Sequence, residues 1–281
     1  MEYSALKSEY LIKEDPYGNN PKLDWSILKY INRLCIQRGI NLKQIGLCGV
    51  ETDFNVYELD KKNEKGLYLF RCEDISSFYN KNFSIYFGNC LKDFQIKLDI
   101  PGLNNINKVT EGFQEVPQVF NYKPSLIAKK IKEKSTCGFL SYKAVFEINQ
   151  YINCGQKSIS EKLLGVITLN KYSDSSYTFL LGRTEESMKF KIKGSFPACK
   201  KCLFDMCRFK FLKPEKIKFD IFTSNSSEVP VGFIYKQCRA TFEDLESDTT
   251  VVYLPEEAAP EEKIWFIVVA NIINMVIFDK E

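Results

Sequence analysis

The sequence predicts a mainly β protein, built as a barrel or a sandwich of antiparallel strands. About a dozen short apolar or aromatic runs follow one another at regular intervals, separated by turn residues. Between these runs there is hardly any helical periodicity, which favours the all-β class. The last apolar run, Ile264–Phe278, is the exception, and an antiparallel barrel of about twelve strands has interior room for an apolar helix.

The elements follow in chain order. Residues 1–22 are polar, with two prolines and a glycine, and predict a flexible tail before one domain at 23–281. Apolar residues at helical spacing follow over Leu23–Ile31. Residues 102–136 contain few apolar clusters and predict a long loop. The predicted strands are Val56–Leu59, Gly66–Phe70, Phe83–Phe87, Phe94–Ile100, Ala144–Ile148, Leu163–Leu169, Tyr177–Leu181, Met188–Ile192, Arg208–Leu212, Lys218–Phe222 and Val231–Tyr235.

The C-terminal run Ile264–Phe278 is apolar on every side. It is shorter than the roughly 20 residues that a bilayer span requires, and it contains two asparagines. A segment of this kind is more often a buried core helix. Its β-branched residues favour a strand, so propensity alone leaves helix and strand open.

Composition excludes several classes of mechanism. The chain has no histidine, which excludes nucleophilic catalysis with an imidazole base, histidine-ligated zinc and histidine pH switching. Phosphate-cradling glycine loops and nucleophile elbows are absent from the sequence. We therefore expect a protein that is not an enzyme. The N-terminal residues lack a signal-peptide pattern, so we expect an intracellular location and mostly free thiols among the ten cysteines.

Three groups of residues, in this order, resemble the phospholipid scramblase family. The first group is 47–52 (LCGVET), 56–59 (VYEL), 67–70 (LYLF) and 73–74 (ED). The second group is Cys199, Cys202, 208–211 (RFKF) and 231–236 (VGFIYK). The third group is 242–244 (FED), 253–255 (YLP), Lys263 and the apolar run that ends at Phe278-Asp279. The resemblance covers roughly Leu23 to Glu281. The aspartate within the family's terminal helix falls on Asn274 here.

The resemblance implies a fold and an activity. The fold is a single twelve-stranded antiparallel tubby-like barrel that encloses a C-terminal hydrophobic helix, placed at about 262–279. The activity is Ca²⁺-dependent bidirectional movement of phospholipids across a membrane, with the protein on the cytoplasmic face of the plasma membrane. The alternative is a barrel that binds anionic lipid and protein partners in a regulatory role without scrambling. Enclosure of Ile264–Phe278 would argue against a membrane-inserting segment.

Charge is segregated along the chain. Residues 189–218 carry ten basic residues against two acids, and residues 242–281 carry ten acids against two lysines. Each basic residue near an anionic membrane contributes roughly 1 kcal/mol, so the basic stretch predicts a phospholipid footprint. Its members are Lys189, Lys191, Lys193, Lys200, Lys201, Arg208 and Lys210. A solvated sheet face is the alternative. Nucleic acid is a weaker candidate, because the aromatic residues alternate with the lysines and are expected to be buried.

Cysteines beside lysines are candidate acceptors for S-acylation, since an acyl chain and a basic run together anchor a protein stably. The candidates are Cys137, which follows Lys129, Lys130, Lys132 and Lys134, and the pair Cys199 and Cys202. Buried structural thiols are the alternative for each cysteine. A zinc site would require four ligands, which this cluster lacks.

Three carboxylates at alternate positions, Asp244, Glu246 and Asp248, together with Glu257, form a candidate Ca²⁺ site. The segment is not an EF-hand loop, because the glycine at the sixth position and the glutamate at the twelfth are missing. We therefore expect weak affinity for Ca²⁺. A solvated acidic turn is the alternative interpretation.

Overall fold

The computed structural model describes residues 26–39, 53–60, 65–75, 95–99, 125–136, 141–153, 159–171, 176–195, 216–224, 229–237 and 249–278. The helices are α1 (Ser26–Lys29) and α2 (Pro260–Ile272), and α2 continues as a π-helical segment, Ile273–Phe278. The strands are β1 (Arg33–Gly39), β2 (Asp53–Leu59), β3 (Lys65–Asp74), β4 (Gln95–Asp99), β5 (Ser125–Thr136), β6 (Ser141–Asn153), β7 (Ile159–Lys171), β8 (Ser176–Gly182), β9 (Met188–Ser195), β10 (Lys216–Thr223), β11 (Gly232–Gln237) and β12 (Thr249–Tyr253).

The twelve strands form one closed antiparallel barrel. Each strand pairs with its neighbours in sequence, and β1 closes the ring against β12, with Arg33 opposite Tyr253. Closure leaves no sheet edge without a partner strand. The predicted fold class, a mainly β barrel of twelve antiparallel strands with a C-terminal helix, is confirmed.

The helix α2 fills the interior. Its residues from Glu262 to Ile272 are all buried, and inward side chains of the strands surround them. A helix that is apolar on every side is stable only when it is buried all round, and the barrel supplies that environment. The helix predicted at about 262–279 is thus present, and it begins at Pro260, whose fixed φ suits the first position of a helix.

Specific contacts fix α2 inside the barrel. The Phe266 ring meets the Phe190 ring of β9 edge to face, with 5.1 Å between centroids. The Trp265 indole N–H donates to the Leu164 carbonyl of β7 at 3.3 Å. In the π-helical segment, the Thr250 hydroxyl of β12 donates to the Asn274 amide oxygen at 2.7 Å. The asparagine at this position therefore has a structural partner.

The predicted loop 102–136 is wrong over its last third, because residues 125–136 form β5. Leu126 and Ala128 of this strand are buried, while Lys129 is exposed, as period-two alternation requires. The alternation was obscured by lysines, one of which, Lys130, is buried. The basic run before Cys137 thus lies on a strand rather than in a loop.

The described strands include three that the sequence did not predict, namely β1, β5 and β12. The predicted tail 1–22 and the predicted strands Phe83–Phe87 and Arg208–Leu212 lie outside the described residues.

Candidate functional site

The outer surface of β9 presents lysines at alternate positions. Lys189, Lys191 and Lys193 face outwards, while Phe190 and Ile192 are buried in the core. The strand pairs with β10 on one side, which places Lys191 opposite Phe222 and Lys193 opposite Asp220. Alternation thus separates the charges from the core and concentrates them on one outer surface.

Aromatic rings continue this surface across β11 and β12. Phe233 lies opposite Tyr253, with ring centroids 4.2 Å apart, and 4.7 Å separates the centroids of Phe233 and Tyr235. All three side chains are partly exposed. We call this surface the basic-aromatic face. Its residues are Arg33, Lys191, Lys193, Lys218, Asp220, Phe222, Phe233, Tyr235 and Tyr253. Lys218 forms an ion pair with Asp220, with 2.6 Å between the ammonium and a carboxylate oxygen.

Cations lie over the rings of this face. The Lys193 ammonium lies 5.4 Å from the Phe222 centroid. The Lys218 ammonium is 5.2 Å from the Phe233 ring, and the Arg33 guanidinium carbon is 5.3 Å from the Tyr253 ring. Each contact lies within the range of a cation–π interaction. A cation of the same chain thus covers one face of each of these three rings.

Lys189 has a structural partner in addition to its place on β9. Its ammonium donates to both carboxylate oxygens of Glu262, at 2.8 and 2.7 Å. One of these oxygens also accepts the N–H of Ala259, at 2.9 Å, at the start of α2. This pair ties β9 to the first turn of the enclosed helix. Of the predicted footprint on β9, Lys191 and Lys193 are the lysines that project away from α2.

The mouth of the barrel holds a buried lysine that sequence reasoning did not identify as structural. The Lys263 ammonium shares its three N–H groups among four oxygens, which are the carbonyls of Leu28, Lys29 and Ile31 at 2.9–3.1 Å and the Asn32 side-chain oxygen at 3.0 Å. Burial lowers the pKa of Lys263 to about 8, and the charge of Glu256 partly opposes this shift. The sequence feature that could have indicated this role is the position of Lys263 directly before the apolar run Ile264–Phe278.

A groove of about 450 Å³ opens beside this mouth. Its lining includes Arg33, Phe233 and Tyr253 of the basic-aromatic face, together with Glu256 and Glu257 of the turn before α2. Both glutamates are exposed. The groove thus combines one guanidinium, two carboxylates and an aromatic wall.

The structure places only part of the predicted site. Glu257, predicted as a Ca²⁺ ligand, lies in the groove wall. Among the residues described, no three Cys, Asp or Glu side chains form a group that could hold a metal ion. Lys189, Lys191 and Lys193 lie on β9, as described above. The remaining predicted residues lie outside the described part of the chain: Lys200, Lys201, Arg208, Lys210, Cys137, Cys199, Cys202, Asp244, Glu246 and Asp248.

The two cysteines of the described part, Cys35 and Cys72, are buried thiols. Burial raises the pKa of the Cys35 thiol, and the charge of Lys65 opposes this only in part. A raised pKa lowers the thiolate fraction, so this thiol is expected to be unreactive in the folded protein.

Of the helices that the structure describes, none combines the length and the apolar character needed to cross a bilayer. Comparisons of the chain with protein-family models, with curated proteins and with solved structures found no match.

Proposed function

We propose that this protein binds the surface of anionic phospholipid membranes through the basic-aromatic face. The observation that carries the proposal is the joint position of Lys191, Lys193 and Lys218 beside partly exposed rings on adjacent strands. Aromatic side chains with a polar tip are enriched where proteins meet the head-group region. Lys191 and Lys193 add electrostatic attraction of roughly 1 kcal/mol each, whereas the ion pair with Asp220 reduces the contribution of Lys218.

The position of α2 supports attachment at the surface. All its residues from Glu262 to Ile272 are buried, and the Lys189–Glu262 pair and the Trp265 hydrogen bond hold it to β9 and β7. Moving this helix into a bilayer would remove the core of the barrel. Membrane contact is therefore assigned to the outer surface.

The same face is less suited to nucleic acid. The Phe233 and Tyr253 rings pack against each other at an angle of 39° between their planes, and Lys218 and Arg33 lie over them. Bases bind such proteins by stacking on open ring faces. Preferred binding to single-stranded nucleic acid over vesicles would contradict the proposal.

Co-sedimentation with vesicles tests the proposal. The protein is mixed with vesicles of phosphatidylcholine alone and with vesicles containing 30% phosphatidylserine (mole fraction), at about 0.05 and 0.5 M salt. We expect binding to the anionic vesicles only, and a loss of most of it at high salt because the attraction is screened. Equal binding to both compositions, or binding that salt does not weaken, would contradict an electrostatic footprint.

We propose Ca²⁺-dependent bidirectional phospholipid movement as a second candidate function. The observation that favours it is the closed barrel of twelve antiparallel strands around an apolar C-terminal helix, the architecture that the family resemblance implies. A head group crossing the bilayer needs a polar path. With α2 enclosed, that path has to arise at the outer surface of the barrel or between copies of the protein.

Reconstitution separates the two candidates. Purified protein is incorporated into liposomes with fluorescent phospholipid in both leaflets, and dithionite reports which labelled lipids reach the outer leaflet. Lipid movement above that of empty liposomes, increased by Ca²⁺, would support scrambling. Binding without movement, at any Ca²⁺ concentration, would leave the surface-binding function alone.

A further inference from the structure

The groove beside the barrel mouth has the charge pattern of a zwitterionic head group. We propose that it binds the phosphate and the primary ammonium of an ethanolamine phosphate, with Arg33 at the phosphate and Glu256 and Glu257 at the ammonium. The proposal rests on the membrane-binding function and names a lipid class for it. The volume of about 450 Å³ lies within the range of small-molecule sites.

Arg33 supplies the phosphate end of the proposed site. This residue begins β1 directly opposite Tyr253, and its guanidinium carbon lies 5.3 Å from the centre of the Tyr253 ring. A guanidinium held over a ring keeps its N–H groups in its own plane, and that planar fork matches two phosphate oxygens. The contact with Tyr253 thus positions a phosphate donor at the groove wall.

The turn before α2 supplies the ammonium end of the proposed site. Glu256 and Glu257 are adjacent, exposed and part of the same lining as Arg33. A primary ammonium has three N–H donors, which suit carboxylate oxygens. The charge of Glu256 also raises the pKa of the buried Lys263, so Glu257 is the carboxylate chosen for substitution.

The aromatic wall decides between ethanolamine and choline. A quaternary ammonium is recognised by open ring faces. Here Phe233 and Tyr253 lie 4.2 Å apart and carry Lys218 and Arg33 over their rings. The ammonium of the ligand is therefore recognised by the carboxylates, which accept hydrogen bonds from N–H groups. Choline has no such N–H groups. A serine head group brings a further carboxylate towards two glutamates and is disfavoured by like-charge repulsion.

The test uses the full chain and soluble phosphoethanolamine, with no membrane present. Ligand-observed NMR is expected to give a dissociation constant on the order of 1 mM, with choline phosphate, inorganic phosphate and ethanolamine at least about fivefold weaker. Glu257→Gln is expected to weaken phosphoethanolamine about fivefold. Arg33→Gln is expected to weaken it about tenfold. Glu186→Gln, an exposed glutamate of the β8–β9 turn, is the matched control and is expected to leave binding unchanged.

The possible results distinguish head-group binding in the groove from membrane binding by the basic-aromatic face. Equal affinity for inorganic phosphate, no binding of phosphoethanolamine, or an unaffected Glu257→Gln variant would overturn the proposal. Vesicles of constant anionic fraction, with phosphatidylcholine replaced by phosphatidylethanolamine, identify the source of the ligand. If phosphatidylethanolamine tightens vesicle binding and Glu257→Gln abolishes this gain, the ligand is the lipid head group. If soluble phosphoethanolamine binds but phosphatidylethanolamine does not tighten vesicle binding, the ligand is a free phosphate ester. Failure of vesicle binding by the wild type would overturn the proposed function instead, since the soluble measurement does not depend on it.

Discussion

The close approach of Gly165 to Trp265 gives the sharpest prediction about the enclosed helix. Gly165 of β7 faces the barrel interior, where α2 lies. A Cβ added at this position would lie 2.3 Å from the indole nitrogen of Trp265 and 2.7 Å from its Cε2 atom. Both distances are far inside van der Waals contact. Gly165→Ala therefore forces either the indole or the strand to move.

The magnitude follows from these contacts. Overpacking a core costs about 1–3 kcal/mol. Displacing the indole also breaks its bond to the Leu164 carbonyl and leaves a buried N–H without an acceptor, at a further cost of about 1–3 kcal/mol. The smaller entropy of the unfolded alanine chain offsets about 0.4–1 kcal/mol. We expect a net loss of about 3 kcal/mol in the free energy of unfolding.

Urea denaturation, followed by circular dichroism, measures this loss. Gly66→Ala on β3 is the matched control, because its nearest neighbour would be the Glu58 carbonyl oxygen at 3.3 Å and the position is exposed. We expect that control to change stability by less than about 1 kcal/mol, because the Glu58 carbonyl has to move by only a few tenths of an ångström. In a Trp265→Leu background, Gly165→Ala should cost at least about 1 kcal/mol less than in the wild type. Additive effects, or a neutral Gly165→Ala, would refute the packing of Trp265 against β7.

Three further predictions concern the same structure. Lys263 loses its proton near pH 8 in the folded state and near pH 10.4 in the unfolded state, so the unfolded state binds more protons between these values. The free energy of unfolding is therefore expected to rise in this range by up to about 1.4 kcal/mol per pH unit. Lys263→Met should lack this rise in urea titrations, and an identical pH slope would contradict the burial. Lys189→Met should cost about 1–2 kcal/mol, and a double-mutant cycle with Glu262→Gln should show coupling of about 1 kcal/mol, whereas Lys191→Met should be neutral. Finally, Cys35 and Cys72 should resist iodoacetamide in the folded protein and react in urea, and rapid native labelling detected by mass spectrometry would contradict their burial.

Period-two alternation made most of the barrel predictable from the sequence. It holds cleanly on β9, where lysines alternate with Phe190 and Ile192. It fails on β1, where Leu34, Cys35 and Ile36 are all buried, because the outward Cys35 is covered by its neighbours. On β5 it is obscured by the buried Lys130. These strands were missed because burial there depends on tertiary contacts that the local pattern does not encode.

Of the candidate site, the sequence predicted only the outward position of the charged side chains on β9. Alternation placed Lys191 and Lys193 on the outer surface, but the ion pair of Lys189 with Glu262 joins residues 73 positions apart and has no local signature. The same is true of Lys263, whose acceptors lie more than 230 positions away in sequence. The groove likewise depends on barrel closure, which brings Arg33 of β1 next to Tyr253 of β12.

The most direct test of membrane binding through the basic-aromatic face is a comparison of two double variants on anionic vesicles. Lys191→Gln/Lys193→Gln removes two charges from this face, and Lys143→Gln/Lys162→Gln removes two exposed charges from β6 and β7. At roughly 1 kcal/mol per lysine, the first variant should bind about 30-fold more weakly at low salt, and the second should bind like the wild type. Equal affinities for the two variants would contradict the assignment of the membrane surface to this face.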